Sequence, residues 1–172
     1  MIPIYWVPKE NAVQREKTDR VPYMSWIRDG HVRATEGNVT DYATVIRDIL
    51  KLKETYNIRS IAVDRWNASH AVQLLQEAGV DCVGYSQGSA MNAPSKQLEA
   101  LVVSEKIRHG SHPTLAIQAM HCAAPPDAYG NIKPSKKKST ERIDGIVALV
   151  MALGITGTTP KIVEQNWNVI EV

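Results

Sequence analysis

Cysteine is nearly absent. Two residues, Cys82 and Cys122, in a chain of 172 are too few for a disulfide framework and suit a reducing compartment. Long hydrophobic runs are missing as well: the longest, residues 146–153, is far short of the roughly 20 residues that cross a bilayer. The N-terminus lacks the basic-then-apolar order of an export signal. These absences predict a soluble, cytoplasmic protein with no membrane association. There is no G-x-x-x-x-G-K-[ST] segment, so no ATP-binding loop of that kind is present. Charge of one sign is in short excess, +2 from 20 Lys and Arg against 18 Asp and Glu, so net charge names no partner.

What is present is ordinary for a globular chain. Apolar residues make up 44% and charged residues 22%, with 10 Gly and 9 Pro, which excludes disorder, collagen and coiled coil and at this length predicts one domain. The distribution of charge is more informative than its sum, because Lys133, Lys136, Lys137, Lys138 and Arg142 crowd one stretch.

A strand is expected over 2–7, then irregular chain, since Pro3, Pro8 and Pro22 argue against one long helix. Tyr42, Val45, Ile46, Ile49 and Leu50 recur at three-to-four spacing behind Thr40 or Asp41 as a cap, which predicts an amphipathic helix over 41–57. The β-rich run 58–63 predicts a buried strand that stops at Asp64. Ser69 is placed to cap a second helix with Val72, Leu74, Leu75 and Ala78 on its apolar face and Gly79 as its stop. Residues 80–85 read as another strand. This alternation of helices and strands is the signature of a parallel α/β sheet. Pro94 and Pro113 open two further helices, and residues 123–134, with Pro125-Pro126 and Asp127 to Asn131, predict an edge hairpin. A last helix over 141–154, capped by Ser139 or Thr140, is apolar almost all round and is expected to pack deep against the sheet. Residues 155–172 form a tail with no assigned role.

Asp64 falls at the C-terminal end of a predicted parallel strand, where open α/β sheets place ligands and catalytic groups; a capping Asp at a strand-to-helix junction reads the same way. Asp144 falls in the first turn of the last helix, where the helix dipole alone accounts for a carboxylate. Taken together, two carboxylates on adjacent elements can share divalent ions and support two-metal phosphodiester hydrolysis. The basic stretch leads directly into Asp144, which puts a phosphate-attracting segment beside that pair. Gly84-Tyr85-Ser86-Gln87-Gly88 matches the G-x-S-x-G nucleophile elbow, yet residues 89–93 separate it from the next helix and no histidine follows in the required order. His109, His112, His121 and Cys122 fit no common zinc spacing.

Val21-Pro22-Tyr23 with Trp26 and Gly30, Asp64-Arg65-Trp66, Gln87-Gly88, Gly130-Asn131-Ile132-Lys133, and Arg142-Ile143-Asp144-Gly145-Ile146-Val147-Ala148-Leu149 through Ala152-Leu153-Gly154 resemble, in this order, the C-terminal nuclease domain of tailed-bacteriophage terminase large subunits. The resemblance implies an α/β, ribonuclease H-like mixed sheet flanked by helices. It also implies an endonuclease that cuts concatemeric double-stranded viral DNA in the bacterial host cell by two-metal hydrolysis with Mg2+ or Mn2+. The matching metal-binding and catalytic carboxylates are Asp64 and Asp144. Lys133, Lys136, Lys137, Lys138 and Arg142, with Arg65 beside Asp64, are expected to hold the phosphate backbone.

The family's first metal-binding aspartate lies upstream of the segment matched by residues 1–10. The resemblance therefore implies an incomplete nuclease-like domain over 1–154, truncated at its N-terminus and lacking the motor domain. Implied partners are double-stranded DNA, the terminase ATPase domain, the small terminase subunit and the portal. The strand over 58–63 would lose its usual neighbour, so self-association through that edge is expected. The competing expectation is a catalytically inactive prophage fragment that binds DNA or a packaging partner.

Overall fold

The structure is a computed structural model that describes residues 1–64 and 69–156. It opens with β1 (Trp6–Pro8), α1 (Lys9–Asp19), α2 (Tyr23–Arg28) and β2 (Arg33–Thr35). This region departs most from expectation, since two helices stand where the prolines predict irregular chain. In α1 only Ala12 and Val13 are apolar, so no amphipathic stripe announces it. Its Lys, Glu, Gln and Arg residues are good helix formers, and Ala12, fully buried, pins it to a cluster with Val7, Val21, Trp26 and Val32. Pro8 and Pro22 sit just before α1 and α2, where a missing N–H costs nothing. The helices form a crossover that lets β1 and β2 pair in parallel, Trp6 opposite Arg33 and Pro8 opposite Thr35.

The second unit follows the predicted pattern closely. α3 (Tyr42–Thr55) starts behind Asp41, whose carboxylate accepts from the N–H groups of Ala43 at 2.9 Å and Thr44 at 3.2 Å. β3 (Ile61–Asp64), α4 (Ser69–Glu77) and β4 (Cys82–Tyr85) follow in the order of a crossover unit, with a parallel register from Ile61–Cys82 to Asp64–Tyr85. Gly79, at φ +72°, adopts the left-handed conformation that ends α4, and Lys53 Nζ donates to its carbonyl at 2.7 Å. Ile46, Leu75 and Val80 make the core between α3, α4 and this sheet.

A single 3-10 turn, Ser89–Met91, precedes α5 (Asn92–Val103); α6 (Pro113–His121) and α7 (Asp144–Ile155) complete the order. Residues 123–134 contain no strand, which corrects the expected hairpin. Pro125, Pro126 and Pro134 withhold ladder donors. Asp127 Oδ1 instead takes the N–H groups of Tyr129 at 2.8 Å and Asn131 at 2.9 Å, closing a compact turn. Among the described residues the strands form two separate two-stranded parallel sheets rather than one mixed sheet.

The apolar helix α7 joins these parts. Ile143, Val147, Val150 and Met151 pack with Met91, Ala62, Tyr85, Leu98 and Cys122. Two glycines let it approach aromatic rings closely: a Cβ on Gly145 would strike the Tyr5 hydroxyl, and one on Gly154 the Tyr85 hydroxyl. Nine residues separate them, about 13 Å of helix, so α7 passes from the start of β1 to the end of β4. Both cysteines are free, and burial pushes their thiols up, with the Asp81 charge adding to the effect at Cys82. No helix among the described residues is long and apolar enough to cross a membrane.

Candidate metal and nucleic-acid site

Asp64 is the last residue of β3 and is half-buried. The parallel register puts Tyr85 beside it, so the chain leaving β4 passes its carboxylate. Gln87 uses that position: its Nε2 donates to Asp64 Oδ2 at 3.0 Å and lies 4.0 Å from Met151 Sδ on α7. The backbone carbonyl of Gln87 accepts from Lys133 Nζ at 3.2 Å. Sequence reasoning places Gln87 in a motif without a role. Its position two residues past the strand beside Asp64 is the signal that points to one.

Asp144 is the first residue of α7, on the opposite half of that helix from Met151. Its carboxylate pairs with Lys136 Nζ at 2.6 Å, both side chains 59% exposed. The expected Ser139 or Thr140 cap is not what starts this helix. Ser139 Oγ accepts from Ala123 N at 3.0 Å and Thr140 Oγ1 meets His121 Nδ1 at 2.7 Å. Gln118 Oε1, from α6, instead takes the Gly145 N–H at 2.6 Å, supplying from a neighbour the partner that the helix start needs. Tyr5 lies against the same turn, and burial, followed by the Asp144 charge, pushes its hydroxyl up to about 12.

β3 and α7 pack against each other, so the two carboxylates belong to one packed unit. Along α7, Gln87 ties Asp64 to the level of Met151, seven residues and about 10 Å past Asp144. Among the described residues no group of three or more His, Cys, Asp or Glu side chains could hold a metal ion. His109 Nδ1 accepts the His112 N–H at 3.1 Å.

The basic side chains divide into two kinds. Lys133, Lys136, Lys137 and Lys138 are exposed, the last three on a turn closed by the Ser139 N–H to the Ser135 carbonyl at 2.9 Å. Arg142 differs, because its Nε donates to Asp19 Oδ2 at 3.1 Å and ties the end of α1 to the start of α7. Burial alone would raise the Asp19 carboxyl, but hydrogen bonds from Arg142, Thr18 and Tyr23 and the guanidinium charge hold it below the usual carboxylate range. Arg65 lies outside the described residues, as do residues 157–172. The G-x-S-x-G segment builds no elbow: Ser86 Oγ accepts the Gly88 N–H at 3.3 Å, and the 3-10 turn intervenes before α5.

The described residues thus put an acidic strand end, an acidic helix start and a lysine-rich turn on one parallel α/β chain. The family model for the terminase large subunit, endonuclease domain, matches residues 1–158, and the chain belongs to that family. It is 36% identical over 157 residues to the terminase large subunit of Enterobacteria phage HK97, covering 90% of this chain and 31% of that protein. It is 26% identical over 159 residues to Protein YmfN of Escherichia coli (strain K12), covering 88% of this chain and 35% of that protein. The crystal structure of the HK97 bacteriophage large terminase superposes with a TM-score of 0.80 at 37% identity, over 87% of this chain and 32% of that one. The large terminase nuclease from thermophilic phage G20c shares the fold, with a TM-score of 0.53 at 16% identity, over 67% of this chain and 63% of that one. The chain thus spans about a third of the length of the curated relatives it matches.

Proposed function

We propose that this domain is the ribonuclease H-like, divalent-metal-dependent endonuclease part of a terminase, cutting concatemeric double-stranded viral DNA in the host cytoplasm during packaging. The observation that carries the reading is the pair Asp64 and Asp144 on elements that pack together, at the end of β3 and the start of α7. Carboxylate oxygens are hard donors of the type Mg2+ and Mn2+ take. Asp64 and Asp144 would hold the ions, with water, DNA phosphate oxygens and a further acid completing the shell. Such ions, when bound, supply an activated water and charge for the leaving oxygen, the chemistry of two-metal phosphodiester hydrolysis.

The chain's own residues supply the rest. Asp144 sits where the α7 N-terminus, with the Gly145 N–H fixed by Gln118, holds its backbone in one place. Lys136, within 2.6 Å of Asp144, neutralises the carboxylate when no ion is there and is free to meet phosphate when one is. Lys133, Lys137 and Lys138 hold the phosphate backbone and carry little sequence information. Arg142 is committed to Asp19, so its share of DNA binding ranks below that of the lysines, and Arg65 adds a phosphate contact beside Asp64. The edge of β3 that no described strand pairs is the surface by which a second copy would associate. The ATPase domain, small subunit and portal are partners of the longer protein.

Plasmid cleavage tests the reading. With Mn2+, this chain should nick or linearise DNA, and Asp64→Asn and Asp144→Asn should each abolish cutting while leaving DNA binding in place. Cleavage that survives both substitutions would refute it. No cleavage by the parent chain, with binding retained, would favour the non-catalytic fragment.

A further inference from the structure

Two motifs, of which only Lys133 has a part in that chemistry so far, meet in space. One is Gln87-Gly88, just past β4; the other is Gly130-Asn131-Ile132-Lys133, in the turn before α7. We infer that Gln87 is the positioning residue of this site: its side-chain amide sets the Asp64 carboxylate while its backbone carbonyl sets the Lys133 ammonium, holding ligand and phosphate anchor as one unit. The inference rests on the reading of Asp64 as a metal ligand.

Gln87 is confined on three sides. Its Nε2 bonds Asp64 Oδ2 at 3.0 Å, Met151 Sδ lies 4.0 Å from the same nitrogen, and Lys133 Nζ bonds its carbonyl at 3.2 Å. A neutral amide suits this task, because it fixes the plane of the carboxylate without cancelling the negative charge that an ion requires. The contrast with Asp144 is direct, since there an exposed ammonium supplies the contact and competes for the same oxygens.

Lys133 arrives at the carbonyl along a tethered path. Asp127 accepts from Asn131 N at 2.9 Å and Asn131 Nδ2 at 3.0 Å. The Asn92 amide, at the start of α5, then pairs twice with the same segment. Its Nδ2 donates to Asn131 Oδ1 at 2.8 Å, and its Oδ1 accepts from Ile132 N at 3.0 Å. The residue that follows is Lys133. An ammonium has three donors; the Gln87 carbonyl takes one, which leaves two that could meet a phosphate. This arrangement accounts for both motifs, with Asn131 and Asn92 placing the lysine and Gln87 placing the carboxylate.

The test uses the full chain with Mn2+ alone in titration calorimetry, duplex DNA binding, and thermal unfolding as a check on folding. Gln87→Leu should lower Mn2+ affinity about tenfold, the scale of losing a hydrogen bond to a metal ligand, at an unchanged unfolding midpoint. Gln87→Met, of similar length and apolar, should do the same if the leucine variant folds poorly. Lys133→Met and Asn92→Ala should leave Mn2+ affinity intact and weaken DNA binding severalfold. Parent-like Mn2+ affinity in both Gln87 variants, with affinity abolished in Asp64→Asn, would overturn this inference alone. Parent-like affinity in Asp64→Asn would overturn the metal reading beneath it as well.

Discussion

The Tyr5 hydroxyl occupies the space that a side chain on Gly145 would need. It is buried and has no hydrogen-bond partner among the described residues, so the ring is held there by packing and by its tilted contact with His112, centroids 5.4 Å apart. The turn that carries Asp144 is therefore shaped by a close approach that only glycine permits.

Gly145→Ala should destabilise the domain by about 1–3 kcal/mol, the usual effect of forcing atoms into a packed site. Tyr5→Phe should change stability by less than about 1 kcal/mol, because the hydroxyl it removes makes no hydrogen bond among the described residues. In the double variant part of the loss should return, since the phenyl ring leaves room at the first turn. Urea unfolding of the four proteins checks this, and strictly additive losses would contradict it.

Lys136 and Asp144 form an exposed pair, which adds little to stability but does occupy a proposed ion ligand. Lys136→Met should leave the unfolding midpoint nearly unchanged and tighten Mn2+ binding two- to threefold, with weaker binding of DNA. Looser Mn2+ binding would mean that Lys136 orders the carboxylate instead of competing for it.

Stability should fall as pH drops below neutrality. Burial and then the like charge of His31, with a smaller effect of His109, hold His112 below its ordinary value, against a hydrogen bond to the His31 backbone. The rings of His31 and His112 lie edge to face at 5.4 Å. A folded-state pKa below the unfolded value means that the unfolded chain binds the extra proton first. The contribution is thus present above about pH 6.5 and fades as pH falls from there toward the depressed folded value. Urea unfolding at pH 7.5 and 5.5 should show the drop, and His112→Phe should flatten it. An equal drop in the variant would assign the effect elsewhere.

Neutralising Lys137 and Lys138 should weaken duplex binding uniformly across sequences and reduce the slope of log affinity against log salt by about 0.9 for each phosphate that the variant no longer neutralises. Arg142→Gln should act differently, lowering stability through Asp19 more than it lowers the salt slope. A change of sequence preference in the lysine variants would contradict backbone binding.

The second sheet and its flanking helices are legible in the sequence because each carries its own local signal. Asp41 caps α3, Gly79 stops α4, and the run into Asp64 is short and β-rich. α1 is hidden because Ala12, its one buried residue, carries no periodic stripe. The expected hairpin fails because Asp127 competes for the donors that a strand would use, a choice only the folded turn reveals. The places of Asp64 at a strand end and Asp144 at a helix start are legible. Gln87, Gln118 and Asp19 are not, since their roles depend on contacts from other elements, the Asp19–Arg142 pair spanning 123 positions.

The central claim is that Asp64 and Asp144 serve one set of divalent ions. Anomalous diffraction from crystals of this chain soaked in Mn2+ and a short DNA duplex tests it most directly. The account predicts manganese peaks within coordination distance, about 2.0–2.5 Å, of carboxylate oxygens of both residues, with Lys136 displaced from Asp144. Manganese bound elsewhere, or an undisturbed Lys136–Asp144 pair with no peak at either carboxylate, would contradict it.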